Sequence, residues 1–120
     1  MVKVTDLRSG SCLGDRVERA ERFLPRLKGL LGHDRLGEGE GLLLEDCAAV
    51  HTWFMRFPID LCFLGAGNGT GREVVKVLEA LGPWRAASAF GARAVLELPA
   101  GVLRKGDVRE GDRLEVLPCA

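Results

Sequence analysis

The sequence has no excess of charge of either sign. Its 17 basic and 17 acidic residues cancel at neutral pH. Proteins that bind nucleic acids or anionic membrane surfaces usually carry a basic excess, because contacts to phosphate groups are mainly electrostatic. A nucleic-acid partner is therefore not expected, and any ligand or protein partner would have to be recognised by a local group of residues.

The usual sequence features of metal sites, disulfide frameworks and membrane spans are also missing. The four cysteines, Cys12, Cys47, Cys62 and Cys119, form no Cys-x-x-Cys pair, so their spacing favours reduced thiols over disulfides or a zinc site. No apolar run approaches the roughly 18 residues of a transmembrane helix, and the chain does not open like a secretory signal. We expect a cytoplasmic protein with no cofactor, no metal and no membrane span; the sequence does not indicate its oligomeric state.

The amino-acid composition of the chain is typical of one globular domain. Hydrophobic residues make up 47% and charged residues 28% of its 120 residues, which predicts a single domain over residues 1–120 with one core. Aromatic residues are few, at 6%, so most of them are expected in that core.

Apolar periodicity predicts a mainly β fold with one helix. Apolar residues recur at three- and four-residue steps between Phe23 and Leu31, as in a short amphipathic helix. Asn68-Gly69 predicts a hairpin turn, and three valines favour a strand over a helix for the following Glu73–Leu81. Further strands are predicted by alternating or continuous apolar runs at residues 2–4, 12–20, 42–44, 50–55, 59–64, 94–98 and 113–117. Residues 99–105 are expected to form one helical turn.

Residues 50–64 form the most apolar part of the chain and still carry three ionisable side chains, His51, Arg56 and Asp60. A buried carboxylate is costly unless it is paired or capped by backbone donors. Because Pro58 places a corner between Arg56 and Asp60, we expect Arg56 to be the partner of Asp60. Two roles fit this pair: a structural ion pair or turn cap, and a site where Arg56 binds an anionic or polar ligand that Asp60 orients.

Three further residues are candidates for a ligand site. Glu97 lies between Leu96 and Leu98, and alternation leaves open whether it faces solvent or belongs to a buried site. His51 is a base, ligand or hydrogen-bond donor suited to neutral pH, or simply a satisfied core residue. Trp84, if it is exposed beside Arg85, offers a surface on which a ligand can stack.

Several ordered motifs together resemble one known family. They are His-Thr-Trp-Phe-Met-Arg-Phe-Pro-Ile-Asp-Leu-Cys-Phe-Leu at 51–64, Pro-Trp-Arg at 83–85, Val-Leu-Glu-Leu-Pro-Ala-Gly at 95–101, Gly-Asp at 111–112 and, upstream, Arg-Leu-Lys-Gly-Leu-Leu-Gly at 26–32. The chain resembles the bacterial and archaeal domain-of-unknown-function 192 family over nearly its whole length. The resemblance implies a compact, barrel-like antiparallel sheet with one short amphipathic helix near residues 23–31, and it implies no reaction.

Two classes of function follow from these residues. The favoured hypothesis is a non-catalytic ligand-binding or protein-interaction module with a polar cleft around residues 51–60, formed by His51, Arg56, Asp60, Trp84 and Glu97. The alternative is a small hydrolase or lyase-like enzyme in which His51 or Glu97 acts as general base and Asp60 orients that base. An enzyme requires at least two of these side chains within hydrogen-bond reach of one open cavity.

Overall fold

The computed structural model describes residues 1–21, 36–52 and 56–119. Within these residues the chain forms nine strands and one short helix. The strands are β1 (Val2–Asp6), β2 (Cys12–Glu21), β3 (Glu40–Glu45), β4 (Ala49–His51), β5 (Ile59–Asn68), β6 (Gly71–Leu81), β7 (Ala86–Ser88), β8 (Ala94–Pro99) and β9 (Arg113–Pro118), and the helix is α1 (Val102–Lys105). No helix in this part of the chain is long and apolar enough to span a bilayer.

Seven of the strands close into a barrel in the order β1-β2-β3-β8-β5-β6-β9. The barrel closes because β9 pairs antiparallel with β1 along its length and with the first residues of β6. Closure gives every barrel strand a partner on both sides for at least part of its length, which removes the exposed edges of an open sheet. The predicted mainly β, barrel-like fold is confirmed.

One strand pair of the barrel is parallel, unlike the others. β2 runs parallel to β3, with Arg16 opposite Glu40 and Glu21 opposite Glu45. A parallel pair requires a long crossover connection, and residues 22–39 provide one. The helix predicted over residues 23–31 belongs to this connection and lies outside the described residues.

Two apolar clusters divide the buried side chains between the two faces of the sheet. The cluster inside the barrel takes alternate residues from all seven strands, for example Val4, Leu43, Cys62 and Leu96, and α1 adds Leu103. The second cluster covers the outer face of β3, β8 and β5 and includes Leu44, Leu61, Phe63 and Val95. These strands are therefore buried on both faces, which explains the continuous apolar runs at residues 42–44 and 94–98.

The outer cluster is covered by two segments outside the barrel. β4 and β7 pair with each other as a separate two-stranded antiparallel sheet. Val50 of β4, Ala87 of β7, and Phe57 and Ala89 from adjoining residues pack against the outer cluster. The segments that follow β3 and β6 therefore leave the barrel and meet on the same side of it.

Candidate functional site

Asp60 is fully buried and its carboxylate is bound by backbone donors. Oδ1 accepts a hydrogen bond from the N–H of Ala80 at 2.7 Å, and Oδ2 accepts from the N–H groups of Gly101 and Leu103 at 3.0 Å each. Ala80 lies at an irregularity in the β5–β6 pairing and has a φ of 52°. The Asp60 side chain thus fixes this irregularity of β6 and the start of α1 at the same point.

The predicted ion pair between Arg56 and Asp60 is wrong. Asp60 is 0% exposed, whereas Arg56 is an exposed residue, and the partners of Asp60 are the three backbone N–H groups. Backbone donors stabilise a buried carboxylate without the desolvation cost of a second charge. The two structural roles considered for Asp60 were an ion pair and a turn cap, and the structure shows the cap. Binding of a ligand by Arg56 or Asp60 stays a prediction.

Glu97 is also fully buried, so it does not face solvent. It lies opposite Leu42 of β3 and Leu61 of β5, while Asp60 lies opposite its neighbour Leu98. Since adjacent residues of a strand point to opposite faces, Glu97 belongs to the outer face and Asp60 to the barrel interior. The two carboxylates do not converge, and this register gives no support to a two-carboxylate acid–base site. A role for Glu97 in ligand binding stays a prediction.

His51 lines an open cleft of about 880 Å³ between β6 and the β4–β7 sheet. Lys76, Leu78 and Leu81 contribute the β6 side of this cleft, and Arg85 lies where the chain enters β7. No carboxylate stands among the described residues that line it. The cleft therefore combines an apolar surface with three side chains that are cationic or can become so, which suits a ligand with both an apolar body and an anionic group.

The connection between β6 and β7 is held at the end of this cleft by Thr52. Its Oγ donates to the carbonyl of Gly82 at 2.6 Å and accepts from the N–H of Arg85 at 2.9 Å. The backbone N–H of Thr52 donates to the Arg85 carbonyl at 2.8 Å, and the Trp84 N–H donates to the Thr52 carbonyl at 3.1 Å. Thr52 is fully buried, so its hydroxyl fixes the position of Arg85 relative to His51.

Trp84 lies in the same connection with 62% of its surface exposed and a φ of 61°. A left-handed conformation is uncommon for an aromatic residue, and the hydrogen bond to Thr52 holds it. Trp84 is next to Arg85 in the chain and presents its ring to solvent beyond the cleft.

A second cleft, of about 830 Å³, lies between the start of β2 and α1. Its charged residues are mixed: Arg16 and Lys105 line it together with Asp15 and Glu38. The Arg16 guanidinium is 3.6 Å from Asp15 and also donates to the Glu38 carbonyl. Because opposite charges already meet there, this cleft has no comparable preference for an anionic ligand. The described residues contain no group of three or more His, Cys, Asp or Glu side chains that could hold a metal ion.

Comparison with known proteins agrees with this fold. The model of the domain-of-unknown-function 192 family, described as "Uncharacterized ACR", matches residues 5–116. The chain belongs to this family. No curated protein matches it at a significant level.

Two crystal structures are similar to this member of the 192 family. A protein of unknown function from Novosphingobium aromaticivorans DSM 12444 is 28% identical, with a TM-score of 0.76 over 95% of this chain and 82% of that one. A "putative transcription regulator" from Sinorhizobium meliloti 1021 is 24% identical, with a TM-score of 0.76 over 96% of this chain and 91% of that one. At 24% identity, the similarity to the Sinorhizobium meliloti protein shows a shared fold and nothing more.

Sequence reasoning on this family member missed two groups of residues. Lys76 and Arg85 were not among the predicted site residues, although Lys76 is the one cation within the apolar run Val-Val-Lys-Val-Leu at 74–78. Such an isolated charge in a strand indicates a side chain with a specific partner. In the structure Lys76 Nζ donates to the Ser88 carbonyl at 2.9 Å and lies 5.9 Å from the centre of the Phe63 ring.

The second missed group is a carboxyl pair at one end of the barrel, formed by Asp6 and Asp112. Burial raises the pKa of Asp6 above its usual value, and a hydrogen bond with Asp112 raises this pKa further. The hydrogen bond from Arg8 Nε to Asp112 Oδ1, at 2.7 Å, lowers the pKa of Asp112 well below its usual range. Of the pair, Asp6 therefore binds a proton more readily, and Asp112 stays ionised to lower pH.

Proposed function

We propose that this domain is a non-catalytic binding module whose ligand occupies the cleft between β6 and the β4–β7 sheet. The observation that carries the proposal is the set of cleft residues: His51, Lys76 and Arg85 surround apolar contacts from Leu78 and Leu81. Its volume of about 880 Å³ falls in the usual range for ligand sites. The proposed ligand therefore has an extended apolar part and at least one carboxylate or similar anion.

The acid–base alternative has less support from these contacts. Asp60, the proposed orienting group, lies on the opposite face of the sheet from Glu97 and is occupied by three backbone donors. Of the five predicted site residues, His51 lines the cleft between β6 and the β4–β7 sheet. A binding role requires no second catalytic group beside His51, and we infer it for that reason.

A titration with octanoate tests the proposal, because this probe has an apolar chain and a single carboxylate. We expect octanoate to bind and to raise the melting temperature, since a ligand that binds the native state stabilises it. Lys76→Ala should weaken binding roughly tenfold, as expected for loss of one charge-assisted contact. Isothermal titration calorimetry would measure both affinities.

Lys3→Ala provides the matched control. Lys3 is an exposed cation on β1 and does not line the cleft. If the Lys3 and Lys76 variants bind octanoate equally well, the anion does not contact the cleft. Absence of binding to the parent protein across the soluble range of octanoate, together with absence of binding to longer carboxylates and acidic peptides, would contradict the proposed function.

A further inference from the structure

β6 and β7 follow each other in the chain but do not pair. Residues 82–85 join them, and a connection of this length commonly makes a β-hairpin. Instead β7 pairs with β4, and β6 pairs with β5 and, at Gly71–Glu73, with β9. The cleft described above occupies the space between these two consecutive strands.

The hydrogen bonds that flank β7 show which of its backbone groups point toward β4. Thr52 N–H donates to the Arg85 carbonyl at 2.8 Å, and Ala89 N–H donates to the Ala48 carbonyl at 3.1 Å. In an antiparallel pair, hydrogen-bonded and non-hydrogen-bonded positions alternate. Residues 85, 87 and 89 therefore bond toward β4, while the N–H and C=O groups of Ala86 and Ser88 point away from it.

This outer edge of β7 is accessible and mostly unpaired. Ala86 and Ser88 are exposed, and the Ser88 carbonyl accepts its hydrogen bond from Lys76 Nζ. No strand among the described residues pairs with the Ala86 N–H, the Ala86 carbonyl or the Ser88 N–H. Unpaired groups of this kind on a strand edge are a template for another extended chain.

The charges around the edge indicate the chemistry of that chain. Lys76 lies at one end of β7 and Arg85 at the other, with His51 opposite Ala86. An acidic segment would meet opposite charge along the whole edge, and its apolar residues would contact Leu78 and Leu81.

We propose that the ligand of this cleft is an extended acidic peptide segment of a partner protein, which adds a strand to the outer edge of β7. This inference rests on the proposed function and specifies its ligand. One residue of the guest strand exchanges two backbone hydrogen bonds with Ala86, and a neighbouring guest carbonyl accepts from the Ser88 N–H. Alternate guest side chains then point into the cleft, where acidic groups meet Lys76 and Arg85.

An array of heptapeptides with alternating apolar and acidic residues tests the proposal on the intact protein. The tightest binder is resynthesised in seven forms, each with one backbone nitrogen methylated, and each affinity is measured by calorimetry. Strand addition predicts that methylation of the one residue that pairs with Ala86 lowers affinity at least tenfold, because its N–H donates to the Ala86 carbonyl. Methylation of the residue on either side of it, whose N–H points away from β7, should change affinity little. The amide signals of Ala86 and Ser88 should be among the most shifted in a ¹⁵N correlation spectrum.

Ala86→Pro removes one edge donor and should lower peptide affinity by a similar factor. The methylated peptides answer the same question on the unaltered protein, so the test stands even if this variant does not fold. Equal affinity for all seven methylated peptides would overturn strand addition. If octanoate or a longer carboxylate binds and no peptide does, the inference is wrong while the proposed function stands. If no carboxylate and no peptide binds, both are wrong.

Discussion

At the residue scale, the Asp60 carboxylate connects three parts of the chain that are far apart in sequence. Its donors are 20, 41 and 43 residues away. Without this carboxylate, the N–H of the buried Leu103 would have no partner, and the N–H groups of Ala80 and Gly101 would lose theirs. A buried donor that loses its acceptor costs about 1–3 kcal/mol.

Asp60→Asn should therefore lower the free energy of unfolding by about 3 kcal/mol, because the amide nitrogen cannot accept a hydrogen bond. Urea denaturation followed by circular dichroism measures the change. Asp15→Asn is the matched control, since the Asp15 side chain is 63% exposed and should change stability little. Similar stabilities for the two variants would contradict the structural role of Asp60.

The Asp6–Asp112 pair predicts that the free energy of unfolding changes with pH, and that the two carboxyl groups contribute to this change with opposite signs. The pKa of Asp6 is raised in the native state, so its contribution to stability is present at low pH and is lost as the pH rises through the native pKa. Asp6→Asn keeps an oxygen for the N–H groups of Arg8 and Ser9 and can donate to Asp112 permanently. We expect this variant to be more stable than the parent at pH 7, with a gain that shrinks as the pH falls through the raised native pKa of Asp6 toward the ordinary aspartate value of about 4.

Asp112→Asn should change stability with pH in the opposite direction, and the same measurement tests it. The pKa of Asp112 is lowered by Arg8, so its contribution is present above the ordinary aspartate pKa and is lost as the pH falls. This variant should be less stable than the parent at pH 7, and the difference between their stabilities should shrink in acid. Urea midpoints recorded from pH 3 to pH 8 would show both trends; parallel profiles for the two variants would refute the assignment of the proton to Asp6.

The Asp60 environment shows how far sequence reasoning extends for a single residue. An acid between Ile59 and Leu61 predicts a stabilised, buried carboxylate, because an unsatisfied one would be too costly. The sequence offers Arg56 as a nearby partner, whereas the actual donors are backbone groups supplied by β6 and the approach to α1. Backbone N–H groups are the same in every non-proline residue, so residue types alone cannot identify which of them meet Asp60.

At the scale of elements, the cleft depends on how the 82–85 connection is held. Thr52→Val removes the hydroxyl with little change in shape and leaves the Arg85 N–H and the Gly82 carbonyl without that partner. We expect a loss of about 1–3 kcal/mol in stability, faster hydrogen exchange at the Arg85 amide, and weaker octanoate binding. Thr70→Val, at an exposed position on the β5–β6 turn, is the control. Unchanged exchange at Arg85 would exclude Thr52 as its anchor.

Elements specified by local chemistry were predicted well from sequence, and those specified by distant partners were not. The β5–β6 hairpin follows from Asn68-Gly69, where Gly69 has a φ of 66°. The parallel pairing of β2 with β3 joins residues that are 24 positions apart in the chain, so no local turn signal predicts it. The β4–β7 sheet is similar: residues 86–88 are small and lack a clear strand pattern, and their extended conformation depends on pairing with residues 49–51.

At the scale of the whole molecule, the barrel brings the two ends of the chain together. Cys119 N–H donates to the Met1 carbonyl at 3.0 Å, beside the pairing of Val2 with Pro118. A chain with adjacent ends can be joined there and opened at an exposed turn. The turn between β7 and β8 is suitable, because Phe90 and Gly91 are exposed.

A circular permutant joined by a short Gly-Ser linker and opened between Phe90 and Gly91 should fold with the parent's circular dichroism spectrum. Its free energy of unfolding should fall by no more than about 2 kcal/mol, since loop closure entropy changes slowly with length. A permutant opened between Val95 and Leu96 interrupts a fully buried strand and should not fold. If both permutants fold equally well, continuity of β8 is not required.

The position of β9 in the barrel also has a consequence for synthesis on the ribosome. β9 pairs with β1 on one side and with the start of β6 on the other, so the seam closes last. Until residues 113–118 emerge from the exit tunnel, β1 presents an unpaired edge to every neighbouring nascent chain on a polysome. Such edges promote intermolecular strand pairing. During the interval between translation of β8 and emergence of β9, the β1 edge is therefore open to pairing with another chain.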